Sequence, residues 1–407
     1  MKPHRPHGLL IVLSSVLAIG ASSPSLAEQP IKIGASSSIT GRDAVQGGYV
    51  REGYLLCQKH VNEKGGVLGR PIQFVIHDDG SEGQAAIRIY EKLITEDKVD
   101  AVMGPYGSPI TEVVADVTEK HRKLMVAPGA GTTAIWEKGR RYVIMMLSPL
   151  EASTEGTIDL ASRNGLKTIA VIGALARPAI TKGALEVAKK KGLEVVVHEM
   201  FPIGTTDFSA ILNKVKAAHP DALVVGTPPA DAIAITRQMR ELDVNVKMYG
   251  ATPGAAYPDY QKALGKTAEF VYAGSYWEPG LPYPGNREFV AAYQKEFTRA
   301  PSVNSAASYA GCQLFVDAVR RAGSLDSDLV RGEILKLKTK TLFGDFAVDE
   351  RGYQSVTRRS QSSGRTAMQY WCGRTRRRRG SQESRPHHGA GDRKQGRDTC
   401  LWGDAFP

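Results

Sequence analysis

Short apolar runs alternate with amphipathic stretches along the chain from Ile31 to about Gly274. Runs such as IKIGA, VDAVMG and KTIAVIGA lack polar alternation, which is typical of strands that are buried on both faces. The stretches between them carry apolar residues at helical spacing. Buried strands that alternate with helices predict parallel sheets covered by helices on both faces. The expected fold class is therefore α/β, with two successive doubly wound lobes.

The alternation of strands and helices restarts after Ser148, which marks the boundary between the two lobes. After about residue 275 the pattern predicts three helices with few strands, and these helices are expected to return to the first lobe. The stretch LFGDFAVDERGYQ then predicts a short hairpin. The predicted first lobe comprises residues 28–148 and 276–338, and the predicted second lobe comprises residues 149–275 and 339–354.

Residues 1–27 have the pattern of a secretory signal peptide. Lys2 and Arg5 precede the apolar run GLLIVLSSVLAIGA, and a small-x-small cleavage site ends at Ala27. The apolar run is short for a membrane span, and an uncleaved anchor is the alternative. Cleavage near Ala27 predicts a mature protein that works outside the cytoplasm.

The formal net charge of +11 is concentrated at the two ends of the chain. Residues 1–27 carry two basic residues and no acidic one, and residues 355–407 carry 12 basic residues against 4 acidic ones. Residues 28–354 therefore hold 39 basic and 38 acidic residues. This balance offers no basic surface for nucleic acid or for a membrane, so neither is expected as a partner.

Residues 355–407 differ from the rest of the chain in composition. They contain 11 Arg, one Lys, one Val, one Leu, one Phe and no Ile, which is too little apolar surface to offset chain entropy. A disordered tail and a polyanion-binding tail are two interpretations. We favour a third, in which this Arg-rich, Ile-free segment is a GC-rich coding strand read out of frame after about Gln354.

The cysteines and histidines give no sign of a metal site. There are four cysteines, at 57, 312, 372 and 400, and no spacing typical of metal ligands. Cys57 and Cys312 lie in predicted amphipathic helices and are expected to be buried, while a disulfide between them stays open. The HDDG stretch at His77–Gly80 favours a capped turn over a metal site. Neither a metal nor a cofactor is expected.

Two nearly uncharged loops, GPYGSP and APGAGTTA, follow neighbouring apolar runs. The second contains Gly129–Ala134, which matches the G-x-G-x-x-A nucleotide fingerprint. That fingerprint belongs after the first strand of a βαβ unit, whereas this copy follows the fourth strand and lacks a crossover helix. A dinucleotide site is therefore not expected. The chain also lacks a P-loop, a G-x-S-x-G elbow and an H-E-x-x-H motif, so no catalytic site stands out.

The two loops instead predict a binding site made of backbone donors. Ser108 is the expected N-cap of a helix that has Pro109 at its first position. Free N–H groups at a helix start, and in a loop with little side-chain bulk, favour an anionic ligand oxygen. Both loops follow parallel strands, and open α/β sheets bind ligands at the carboxyl ends of such strands. Turns that serve only chain reversal are the alternative.

Several motifs in combination resemble the type I periplasmic solute-binding proteins, specifically the leucine/isoleucine/valine-binding and amide-binding branch of ABC importers. They are IKIGASSSITG, VNEKGGVLGRPIQFVIHDD, VDAVMGPYGS, LMVAPGAGTT and DFSAILNKVKAAHPDALVVG, and the resemblance runs from Ile31 to about Gln354. The resemblance implies two lobes joined by three hinge strands that close on a ligand. It also implies a periplasmic, non-enzymatic monomer that delivers its ligand to a membrane permease.

The resemblance also assigns ligand contacts to positions of this chain. Ser108 matches the serine that meets the ligand carboxylate, and Gln46 stands where relatives often carry an aromatic residue. Tyr106 and Trp277 are candidate aromatic residues of the cleft, although Trp277 is equally suited to packing at the hinge. The loop that supplies the other carboxylate donors contains Gly129, Ala130, Gly131 and Thr132.

One departure from the family concerns the ligand ammonium, which an acidic residue of the second lobe meets in amino-acid binders. The matching position lies near Thr252 and carries no acid, and a buried ammonium without a carboxylate is costly. Asp231 could substitute from a neighbouring loop. Otherwise the ligand is an amide or an aromatic or aliphatic acid. A sensor lobe and an exported α/β enzyme are the alternatives to an importer subunit.

Overall fold

Two parallel sheets, each covered by helices on both faces, form the two lobes. The computed structural model describes residues 29–202 and 204–355 and the backbone of residues 368–370. The predicted signal peptide and nearly all of the Arg-rich segment lie outside the described residues. None of the helices in the described part is both long and apolar enough to span a membrane.

The first sheet has the strand order β2-β1-β3-β4-β5, and all four neighbouring pairs are parallel. Strands β3, β4 and β5 are buried at every position and β1 at all positions but Lys32, which agrees with the expected two-sided covering. The elements of this part of the chain are β1 (Ile31–Ser37), α1 (Ala44–Glu63), β2 (Ile72–Asp78), α2 (Gly83–Thr95), β3 (Ala101–Met103), α3 (Ser108–Lys120), β4 (Met125–Ala127), α4 (Ala134–Glu137) and β5 (Val143–Met145).

The second sheet begins after the chain leaves the first lobe at Ser148 and has the order β13-β10-β9-β8-β6-β7. Its pairs are parallel except β10–β13. The elements are α5 (Glu155–Arg163), β6 (Thr168–Ala174), α6 (Pro178–Lys190), β7 (Glu194–Phe201), α7 (Ser209–Ala218), β8 (Ala222–Thr227), α8 (Pro229–Glu241), β9 (Met248–Pro253), α9 (Pro258–Leu264) and β10 (Val271–Gly274).

The chain then returns to the first lobe through three helices. Large side chains of these helices, among them Phe289 and Phe315, join the apolar cluster that packs on β1 and α1. A disulfide joins Cys57 of α1 to Cys312, with a Cα–Cα distance of 6.3 Å. It links α1 covalently to one of these three late helices. The three late helices are α10 (Asn286–Phe297), α11 (Val303–Ala322) and α12 (Ser327–Lys336).

Residues 339–354 differ from the sequence prediction in the lobe on which they pack. The hairpin consists of β11 (Thr339–Thr341) and β12 (Gly344–Phe346) and so starts before the predicted stretch. Phe343 and Phe346 lie in the apolar cluster of the first lobe, and Met145 N donates to Gly352 O at 2.8 Å. The segment thus covers the first lobe rather than the second, because its apolar side chains fill the core beside β5.

The last described strand is β13 (Met368–Tyr370), which pairs antiparallel with β10 at the edge of the second sheet. This strand lies within the segment that the sequence analysis expected to be unstructured, and its pairing differs from that expectation.

Candidate ligand-binding site

The two Gly-rich loops lie side by side at the carboxyl edge of the first sheet. Tyr106 and Gly129 form a parallel bridge, and Gly107 N donates to Gly129 O at 3.2 Å. A Cβ at Gly129 would lie 2.6 Å from Pro105 O, so only glycine permits this approach. Adjacent parallel strands thus bring the loops together, as the strand order of the sheet requires.

Ser108 links the loops through its side chain. Its Oγ accepts hydrogen bonds from Gly131 N and Thr132 N, each at 3.2 Å. The expected N-cap role is wrong, because Gly107 occupies that position with φ 84° and Ser108 is the first residue of α3. A hydroxyl has two acceptor lone pairs and one proton. With both lone pairs engaged, the O–H of Ser108 is the group left to donate.

The remaining residues of the second loop are held by the segment that leads from the first lobe into the second. Ala130 is fully buried, and Gly131 O accepts a hydrogen bond from Leu150 N at 2.8 Å. A Cβ at Gly131 would point at Ser148 O, 3.0 Å away. Thr132 is half-buried beside it. This loop is therefore fixed to the first crossing between the lobes.

Glu151, just past that crossing, binds the next residue of the loop. Its carboxylate accepts from Thr133 N at 3.2 Å and from Thr133 Oγ1 at 2.9 Å. These contacts connect the loop directly to the segment that enters the second lobe.

Arg177 reaches the site from the second lobe. Its guanidinium donates to the Tyr106 hydroxyl at 3.2 Å and lies 3.8 Å from a carboxylate oxygen of Asp43 in the first lobe. The Arg177 side chain is only 10% exposed. Burial raises the pKa of Tyr106, so its hydroxyl stays neutral beside the guanidinium. A cation of one lobe thus meets the wall of the other.

Two further contacts cross the cleft. Asn304 Nδ2 donates to the hydroxyl of Tyr257 at 2.9 Å, and Tyr49 OH donates to Asp259 at 3.3 Å. Each pair joins the first lobe to the loop or helix that follows β9. The two lobes are therefore in contact at these two pairs as well as at Arg177.

Asp231 and Gln46 supply polar groups near the same cleft. Asp231 lies in the first turn of α8 and accepts from Thr227 Oγ1 at 2.8 Å. Burial raises the pKa of Asp231, while this hydrogen bond and the charge of Arg177 act in the opposite direction. Gln46 is 4% exposed, and its Oε1 has no hydrogen-bond partner among the described residues. An orphaned buried acceptor invites a donor from a ligand.

The HDDG stretch forms the predicted capped turn. Asp78 accepts from the backbone N–H groups of Ile39, Thr40 and Gly80, and Asp79 accepts from Ser36 and Ser38. Burial raises the pKa of Asp79. Within the described part of the chain, no group of three or more acidic, His or Cys residues is placed to hold a metal.

Comparison with known proteins gives the family. The model of the periplasmic binding protein family matches residues 30–359. The chain belongs to this family. Over 351 residues it is 25% identical to a leucine-, isoleucine-, valine-, threonine- and alanine-binding protein of Pseudomonas aeruginosa, covering 84% of this chain and 91% of that protein. It is 27% identical over 352 residues to a Leu/Ile/Val-binding protein homologue of Brucella suis, with the same coverage.

Solved structures of periplasmic binding proteins share the fold. A leucine-binding protein from Thermotoga maritima superposes with a TM-score of 0.74 at 25% identity, covering 80% of this chain and 93% of its own. A solute-binding protein of Rhodopseudomonas palustris, solved with 3,4-dihydroxybenzoic acid, superposes with a TM-score of 0.72 at 24% identity, covering 80% and 90%. The type I periplasmic-binding-protein fold expected from the sequence is confirmed.

Two residues assigned by resemblance to other periplasmic binding proteins are engaged elsewhere in this one. Thr252 Oγ1 accepts from Gly274 N at 3.0 Å and so connects β9 to β10. Trp277 is 2% exposed, donates from Nε1 to Asn286 at 2.8 Å and packs edge-on against Phe289. Of its two interpretations, hinge packing describes its contacts.

Sequence reasoning missed Arg177 as a site residue of this periplasmic binding protein. One signal was available, because Arg177 directly precedes Pro178 at the start of α6 and follows a strand. That position lies at the carboxyl edge of the second sheet, where ligands bind.

Proposed function

We propose that this protein is the extracytoplasmic solute-binding subunit of an ABC importer and that it binds a small carboxylate between its lobes. The observation that carries the proposal is the Ser108 hydroxyl, whose oxygen accepts from two loop N–H groups close to Tyr106, the residue that Arg177 of the second lobe contacts. The relatives are named as binding proteins, which supports a role without catalysis. Its partners are the ligand and a membrane permease.

The carboxyl end of the ligand would receive the Ser108 proton. Because two N–H groups donate to the same oxygen, they polarise the hydroxyl and strengthen it as a donor. The loops are neutral because fixed dipoles hold the anion, and no lysine or arginine has to lose side-chain entropy there. A hydrogen bond to a charged acceptor is typically worth about 1.5–3 kcal/mol.

The other end of the ligand would face the second lobe, where the positive charge of Arg177 affects which chemical group that end can carry. Relatives named for leucine, isoleucine and valine bind ligands with an ammonium group. Here the acid available for an ammonium, Asp231, already lies in the field of Arg177. This arrangement favours a carboxylic acid or amide without an ammonium over a branched-chain amino acid, which is the second candidate.

A thermal-shift screen of the mature protein tests the proposal. The panel should contain leucine, isoleucine, valine, benzoate, aliphatic amides, and aliphatic acids with the same chain length as the amides. A ligand at 100 times its dissociation constant stabilises the folded state by about 2.7 kcal/mol. We expect acids to raise the melting temperature more than their alcohols do. If no carboxylate raises it, the proposed ligand class is wrong.

Closure provides a second readout once a ligand is found. Lobes joined by hinge segments are expected to populate an open form without ligand and a closed form with it. Small-angle scattering should therefore show a smaller radius of gyration on saturation. An unchanged radius with a verified ligand would contradict closure of the lobes.

A further inference from the structure

A second cavity, separate from the Ser108 site, lies between the lobes beside the second crossing of the chain. We call it the interlobe chamber; its volume is about 150 Å³. It is lined by residues 255–258, 260, 261, 268 and 271 of the second lobe, by residues 277–279 of the crossing and by residues 300–303 of the first lobe. None of the Gly-rich loop residues, nor Arg177 or Asp231, lines it.

Most of the residues that line the interlobe chamber are aromatic or aliphatic, and Gln261, Glu278 and Ser302 add polar side chains. The rings of Tyr257, Tyr260 and Trp277 contribute, together with Val271 and Val303. A cavity of about this volume can hold a molecule the size of benzene. The chamber can therefore accept a compact apolar group.

Glu278 is the one charged side chain among the described lining residues. It is half-buried, and no cation or hydrogen-bond donor pairs with its carboxylate in the described part of the chain. Burial raises the pKa of Glu278, and no opposing cause accompanies it. A partly buried carboxylate without a partner is costly, and a cation in the chamber would offset that cost.

Several donors around the chamber are already used, which makes an anion less favourable there than a cation. The Trp277 indole N–H donates to Asn286, and the Tyr260 hydroxyl pairs with Thr236. At the start of α11, Asn304 N donates to Ser302 Oγ, and Ser302 N donates to Ser305 Oγ. A cationic ligand, by contrast, meets a free acceptor.

We propose that the interlobe chamber is a second binding site, which takes a small organic ammonium with a compact apolar group, with Glu278 as the acceptor of its charge. The apolar group lies among the aromatic walls. The proposal does not rest on the ligand of the Ser108 site, because neither Ser108 nor Arg177 lines the chamber. Tyr257, which contacts Asn304 across the cleft, is the wall residue that lies between the two sites.

Calorimetric titration of the full mature protein with benzylammonium chloride tests this site. We expect binding at one site per molecule and much weaker binding of benzyl alcohol, which has nearly the same shape without the charge. Glu278→Gln should weaken benzylammonium binding by roughly tenfold or more, because it removes the charge and keeps the volume. Glu241→Gln, on the exposed end of α8, is the matched control and should leave it unchanged.

Two further variants separate this site from the cleft and from a folding defect. Asp231→Asn should leave benzylammonium binding unchanged, whereas Ala256→Phe should abolish it by filling the chamber. Equal binding by Glu278→Gln and wild type, loss of binding in Asp231→Asn, equal binding of benzyl alcohol, or no binding at millimolar concentration would each overturn the proposal. Binding of benzoate by Glu278→Gln and by Ala256→Phe would show that the Ser108 site is intact in these two variants.

Discussion

The Oγ of Ser108 accepts hydrogen bonds from the backbone N–H groups of Gly131 and Thr132, both at 3.2 Å. One side chain thus joins the start of α3 to the loop after β4. The arrangement orients the hydroxyl proton and fixes the spacing of two loops that meet at one sheet edge.

Replacing Ser108 by alanine is expected to weaken carboxylate binding by roughly tenfold to a hundredfold, the equivalent of one hydrogen bond to a charged acceptor. Titration calorimetry with a verified ligand measures it. Thr111→Val is the matched control, because Thr111 is buried on the same helix and its hydroxyl has no hydrogen-bond partner in the described structure. Equal affinity of Ser108→Ala and wild type would show that the carboxylate binds elsewhere.

Gly129→Ala should lower the stability of the protein by roughly 1–3 kcal/mol, because its Cβ would overlap Pro105 O and push the two loops apart. Gly332→Ala is the comparison. Gly332 lies within α12, and a Cβ there would meet no atom within 4 Å. It should stabilise the protein by about 0.5–1 kcal/mol. Thermal melts of both variants measure these changes in stability. A Gly129→Ala variant as stable as wild type would contradict the close approach of Gly129 to Pro105 O.

Arg177→Met is expected to lower affinity for an acid without an ammonium by roughly tenfold or more. The same change frees Asp231 from its cationic neighbour, so the ratio of amino-acid to simple-acid affinity should rise. Arg42→Met is the control, since Arg42 is adjacent to Asp43 but its side chain is 41% exposed. An unchanged ratio of the two affinities would show that Arg177 does not select the ligand.

Reduction of the Cys57–Cys312 disulfide should lower the free energy of unfolding by about 2–5 kcal/mol, because the bond closes a loop of 255 residues. Urea denaturation with and without dithiothreitol measures the change. The double variant Cys57→Ala/Cys312→Ala should show no response to the reductant. Coincident curves for oxidised and reduced wild type would exclude a stabilising role.

The Asp221 carboxylate is expected to make part of the free energy of unfolding depend on pH. Its carboxylate accepts from Lys247 Nζ and from the N–H groups of Lys167 and Thr168, and these donors hold its pKa well below the usual range. A carboxylate with a lower pKa in the folded state stabilises the folded protein at pH values above its unfolded pKa of about 3.9. This stabilisation is lost progressively as the pH falls below that value.

Asp221→Asn should therefore lower the melting temperature at neutral pH, and the difference from wild type should shrink as the pH is lowered through about 4. Asp317→Asn, at an exposed position on α11, should lack this pattern. A difference that is constant from neutral to acid pH would show that the Asp221 charge is not the cause.

The period of the apolar pattern was enough to predict both sheets and nearly every helix. Strands such as Ala222–Thr227 are buried at every position, and a run without polar alternation records that two-sided burial directly. The site loops followed from the same pattern, since the ends of adjacent parallel strands lie at one edge. The capped turn at Asp78 was also predictable, because its hydrogen bonds are largely local to two neighbouring loops.

Only the tertiary structure decided which distant side chains meet. Arg177 contacts Tyr106 across two lobes, Phe346 packs in the first lobe, and Trp277 packs against Phe289 of a late helix. A local pattern records which face of an element is buried, but it does not record which lobe covers that face. Contacts between residues far apart in the chain depend on the approach of whole lobes, which the summed packing of both cores sets.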